Sequence, residues 1–212
     1  MNKLFKDALI LTVITLIAGL ALGAVQMITE DPIKRAEENT QKKAFQALFP
    51  DASSFSHYGE FDPDIATALT EETAMANIGS DWPVGAIMIT DCNEAKDKNG
   101  DTLGLIVTVT NKKSYGGSIT LSVGISNENK LTGYMVTDIS DTPGLGMKVT
   151  EEPFMKKFVD IPAKIFSVTK GEANENEIQA ISGATISSRA VTFAVDAAIA
   201  YVNGLNGGGS NE

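Results

Sequence analysis

The chain has 212 residues, 43% of them apolar and 21% charged, with a formal net charge of -10. That length builds one ordinary core plus an appendage and excludes a large multidomain enzyme, and so acidic a surface repels phosphate backbones and sets nucleic acid aside as a partner. A single cysteine, Cys92, and a single histidine, His57, exclude an internal disulfide, a cysteine-ligated cluster, a zinc ribbon and a histidine-based metal site or catalytic triad.

Residues 8–28, ALILTVITLIAGLALGAVQMI, carry no charge and as a helix extend about 31 Å, the thickness of a bilayer's hydrocarbon core. A secretory signal peptide is the rival reading, because Lys3 and Lys6 form a basic start and Ala21-Leu22-Gly23 has the small residues of a cleavage site. The apolar run continues past that site, so we read residues 8–28 as a retained transmembrane helix and 1–7 as the amino-terminal segment before it. Lys3 and Lys6 on one side face Lys34, Arg35, Lys42 and Lys43 on the other, so charge counting alone does not orient it. Glu30, Asp31 and the long domain that follows favour a cytoplasmic amino terminus and an extracytoplasmic main domain. Gly19 and Gly23 have the spacing that lets a second membrane helix approach closely, or are merely tolerated there.

Residues 29–81 read as a membrane-proximal helix and a connector. Asp31-Pro32 is a helix-start signature before IKRAEENTQKKAFQALF, and Pro50 closes that helix. In the loop-rich stretch that follows, one short helix is expected over 67–76, and His57 is expected in a loop. From Trp82 the texture changes to β-branched runs, 86–90, 103–110, 118–125 and 131–139, separated by turn-forming segments, which predict strands of an antiparallel sheet. A short helix over 152–158 and a strand over 164–169 follow. The last helix, 184–203, carries Val191, Val195, Ala198 and Val202 on one stripe and is expected to stop at Gly204 and pack across the sheet. The fold class is therefore α+β, an antiparallel sheet packed by helices over 82–205, with a flexible tail at 206–212. Cys92 reads as a small buried residue.

Two segments carry chemistry. Ile181-Ser182-Gly183-Ala184-Thr185-Ile186-Ser187-Ser188 puts small residues and hydroxyls at the start of the last helix, where unpaired amides and the positive dipole end favour a phosphate. An ordinary N-cap at Ser182 or Thr185 explains the same residues. Asp141-Thr142-Pro143-Gly144-Leu145-Gly146 follows a strand, and its glycines permit positive φ and a close approach of backbone to a flat ligand. A plain tight turn explains that segment equally well.

Together, ISGATISSRAV, DTPGLG and the upstream SYGGSITLSVGI resemble the FMN-binding domain of the G subunit of the Rnf complex, the membrane ferredoxin:NAD oxidoreductase, and of its relative, the C subunit of the sodium-pumping NADH:quinone oxidoreductase. The resemblance covers 82–205 and fits the single anchor ahead of it. It implies FMN joined as a phosphoester to Thr185 by a separate flavin transferase, with Ser182, Gly183, Ala184, Ser187 and Ser188 around the phosphate. It also implies Thr142, Pro143, Gly144, Leu145 and Gly146 beside the ring. Partners would be the other membrane and redox subunits of the complex. The chain departs from the family pattern at Gln179 and Asp141, where acidic and glutamate residues are usual. No Rossmann fingerprint is present for binding NAD, and residues 8–28 hold no ionisable group for an ion path. The C subunit of the sodium-pumping quinone reductase itself, or a free-standing flavinylated carrier, is one rival reading and a non-redox membrane adaptor another. An independent hydrolase lacks a general base beside its serines.

Overall fold

The computed structural model describes residues 3–59, 61–78 and 81–207, and the chain divides at Gln41 into two units. The expected flexible tail lies almost wholly outside the described residues.

The first unit is the larger part of helix α1, Lys3–Leu48. Leu9, Leu11, Leu16, Leu20 and Val25 are exposed around it, and an all-round apolar surface of this kind is stable only in apolar surroundings. The helix is long and apolar enough to cross a membrane. Its hydroxyls are satisfied locally, Thr12 donating to the Ala8 carbonyl and Thr29 to that of Val25, each at 2.9 Å. The break expected at Asp31-Pro32 is absent, because Pro32 lies inside α1. A mid-helix proline forfeits a ladder bond and costs about 3 kcal/mol or more. The strong helix formers on both sides carry the helix through it, so the apolar run and the helix expected after it are one element.

The second unit takes in the end of α1 and everything after it. It comprises β1 (Ser54–His57), α2 (Pro63–Ile78), β2 (Ile87–Lys96), β3 (Thr102–Ser114), β4 (Gly117–Ser126), β5 (Lys130–Ile139), a 3-10 turn (Gly146–Thr150), α3 (Glu152–Met155), a second 3-10 turn, β6 (Ile161–Pro162), β7 (Ser167–Thr169), β8 (Glu177–Gln179) and α4 (Thr185–Gly207). Strands β1 to β6 form one sheet in chain order, antiparallel at every step. A small parallel pair, β7 and β8, stands apart. The connector read at 29–81 therefore contributes an edge strand and a helix to the domain. His57 belongs to β1, where its Nδ1 lies 3.0 Å from Asp91 Oδ1, and is not in a loop.

Both faces of the sheet are covered. Val107, Val109, Leu121 and Val123 pack with α4 residues such as Val191, Val195 and Ile199. Ile106 and Ala95 lie in a second cluster with Phe45, Leu48 and Phe49 from the end of α1 and beyond. Burial on both sides is why residues 103–110 read as a nearly continuous apolar run instead of an alternating one. Cys92 is fully buried and burial pushes its thiol up to about 12. The stripe at Val191, Val195, Ala198 and Val202 is buried as expected. The helix continues past Gly204, however, to Gly207. A Cβ at Gly204 would stand 2.8 Å from the Leu69 side chain, so this glycine permits α2 and α4 to approach and does not cap the helix.

Candidate functional site

The approach to α4 is folded back on the helix by one side chain. Ser188 Oγ accepts the Ile181 amide at 3.0 Å and donates to the Ala184 carbonyl at 2.9 Å. Gly183 between them adopts φ +78°, a left-handed conformation that an L side chain enters only with strain. The Ser188 amide also donates to the Ala184 carbonyl at 2.9 Å, which makes Ala184 the N-cap residue of α4. Alanine has no side-chain oxygen to cap with. Among the described residues the amides of Thr185, Ile186 and Ser187 therefore have neither an intrahelical partner nor a capping side chain, and the N-cap alternative at Ser182 or Thr185 fails.

These amides border a cavity of about 310 Å³ lined by Tyr115, Thr142, Leu145, Gly146, Gly183, Ala184, Thr185, Ile186 and Ser187. The two segments singled out in the sequence are thus brought together at one place. Thr185 is half-buried in its wall. Ser187 is 1% exposed, and its hydroxyl finds no hydrogen-bond partner among the described residues. A buried orphan of this kind costs about 1–3 kcal/mol, and the absent partner is one that a ligand in the cavity can supply. Leu145 and Ile186 are half exposed and Tyr115 is 68% exposed, so the mouth presents apolar surface to a flat group. No lining residue is charged. The nearest basic side chain on the helix, Arg189, is turned to Asp81 at 3.6 Å and to the Phe193 ring at 5.4 Å.

Not every expected residue lines the cavity. Ser188 is buried and its hydroxyl is spent on the helix start. Ser182, Pro143 and Gly144 are exposed and outside the lining, with Gly144 supplying the positive φ of the loop. Gly146 is close to other groups, but to protein: a Cβ there would meet Ser187 Oγ at 2.6 Å and Asp141 Cβ at 2.7 Å. Tyr115 and Ile186 were not foreseen as site residues. The available signal for Tyr115 was an aromatic residue in a hairpin turn beside two glycines, where nothing in the core needs it.

Residues 114–200 match the FMN-binding domain family. Over nearly its whole length the chain is similar to the G subunit of the ion-translocating oxidoreductase complex of Methanosarcina acetivorans, with 30% identity over 97% of this chain and 98% of that protein. The chain belongs to the family of G subunits of these complexes. The G subunit of the Na(+)-translocating ferredoxin:NAD(+) oxidoreductase complex of Acetobacterium woodii is 31% identical over 95% of this chain and 93% of its own. The proton-translocating counterpart of Clostridium ljungdahlii is 28% identical over 98% and 96%.

The cavity suits the cofactor for which the domain family is named. Uncapped helix amides and the orphan Ser187 hydroxyl answer to a phosphate, and the uncharged, apolar mouth answers to an aromatic ring system.

Proposed function

We propose that the chain is the electron-transfer subunit of a membrane-bound, ion-translocating ferredoxin:NAD oxidoreductase, and that it relays electrons through FMN attached by a phosphoester to Thr185. The observation that carries this reading is the meeting of Thr185, uncapped first-turn amides and the Thr142–Gly146 loop at one uncharged cavity. Support for the complex comes from relatives matched end to end, two of which are named for ferredoxin:NAD(+) oxidoreductases.

The residues divide the work physically. The amides of Thr185 to Ser187 and the Ser187 hydroxyl offer hydrogen bonds to phosphate oxygens. Leu145, Ile186 and Tyr115 keep water from the ring and fix its plane. Bound there, FMN supplies transfer of one or two electrons at a time, which no side chain of the cavity supplies. A covalent link suits the same geometry. With no lysine or arginine in the lining, no cationic side chain there pairs with the charge of a phosphate, and the helix terminus that faces it adds typically 0.3–1 kcal/mol. The ester holds the cofactor instead, made by a separate flavin transferase. On this reading residues 8–28 span the membrane with the amino terminus in the cytoplasm. The domain then works outside, where a released flavin would not be replaced. The other membrane and redox subunits of the complex supply and take the electrons.

The test is the complex carrying Thr185→Val. Ferredoxin-dependent NAD reduction by its membranes should fall to background while the subunit remains assembled. An undiminished rate would remove the relay role.

A further inference from the structure

We propose that Asp141 is a positioning residue that holds Tyr115 over the cavity by bracing the residue on either side of it. This rests on the cavity being the flavin's. Strand β3 ends at Ser114 and β4 begins at Gly117, so Tyr115 and Gly116 make up the turn between them. Tyr115 is 68% exposed and lines the cavity, so little packing fixes its ring. Its backbone is fixed from beneath. The Ser114 hydroxyl donates to Asp141 Oδ2 at 2.7 Å, and the Gly116 amide donates to Asp141 Oδ1 at 2.6 Å. Asp141 itself is 3% exposed.

A buried carboxylate satisfied by neutral donors is a costly way to close a two-residue hairpin turn, which asparagine or glycine closes without it. The cost is explained by what the carboxylate joins. On its other side Asp141 abuts Gly146, where a Cβ would fall 2.7 Å from Oδ2, and Gly146 in turn lies against Ser187. One side chain thus ties the Tyr115 turn to the loop and helix start that form the rest of the wall.

The test uses the full chain in detergent, produced with the flavin transferase, and reads intact mass and flavin emission. An aromatic phenol stacked on a flavin quenches it, so Tyr115→Ala should raise emission severalfold at unchanged flavin content. Asp141→Ala should match it, and the double variant should be no brighter than Tyr115→Ala alone, because Asp141 acts through the tyrosine. Asp141→Asn keeps an acceptor for Gly116 and a donor for the Ser114 hydroxyl, so it should restore the quenched state. If Asp141→Ala fails to fold, Ser114→Ala removes one of the two braces and should give a partial rise. Emission unchanged in Tyr115→Ala, additive effects, or Asp141→Asn as bright as Asp141→Ala would overturn the proposal. A wild-type chain without a flavin adduct would overturn the functional reading first, and the mass of that sample separates the two failures.

Discussion

Asp196 is fully buried on α4, with Oδ1 accepting the Phe166 amide at 2.9 Å and Oδ2 without a partner among the described residues. Burial lifts its carboxyl well above the ordinary 3.8, so the folded chain keeps a proton that the unfolded chain releases. Its contribution to stability is complete below that ordinary value and is lost as pH rises toward the folded one. Asp196's share of the unfolding free energy should therefore decline as pH rises above 3.8, and Asp196→Asn, neutral and of the same shape, should remove that share, so that the variant gains stability relative to the wild type as pH rises. Denaturant titrations at several pH values check this, and an identical pH slope in the variant would contradict it. At the same scale, Thr142, Leu145, Gly146 and Thr185, which line the cavity, were legible as candidates because their types and order are unusual together. Tyr115 and Ile186 were not, because the exposure of a large apolar side chain is settled only by the packing around it. Nor could the chain order alone say that Ser188 would be consumed by the turn it stabilises.

The start of α4 is the element on which the site depends, and its cap is the weak alanine. Ala184→Ser would supply the missing oxygen to a first-turn amide, which is worth about 1 kcal/mol. That gain should be seen in chemical denaturation of the unmodified chain. It should shrink in the flavinylated chain, where phosphate oxygens already engage those amides; an equal gain in both would contradict the phosphate's placement. Helix ends also show where sequence patterns succeed and fail. Asp-Pro occurs twice, at residues 31–32 and 62–63. Asp62 does cap, its Oδ1 accepting the Asp64 and Ile65 amides at 2.9 and 3.1 Å, and α2 starts at Pro63, earlier than expected. Asp31 does not start a helix, because the chain reaches it already helical from the apolar run. The four long strands were legible from β-branched runs. Strand β2 runs on to Lys96 through polar residues, because pairing with β1 and β3 overrides their weak propensity. Strand β7 falls inside the run expected over 164–169 but is shorter, and β8 is too short to leave a periodic trace.

For the whole molecule, the antiparallel sheet packed by helices and the single apolar helix were legible from periodicity and length. The joining of residues 41–81 to the domain was not, since those contacts are made across the sheet. The proposed topology places everything after residue 28 outside the cytoplasm. A carboxy-terminal alkaline phosphatase fusion, which folds only outside the cytoplasm, should therefore be active, and a silent phosphatase beside an active cytoplasmic reporter would reverse the orientation.

The ester at Thr185 is the central claim, and peptide mass spectrometry of the protein from its native membrane tests it most directly. The peptide containing Thr185 should carry the mass of FMN less one water, and the Thr185→Val chain should carry no flavin, covalent or retained. An unmodified Thr185 peptide from the native complex, or an adduct that survives Thr185→Val, would contradict it.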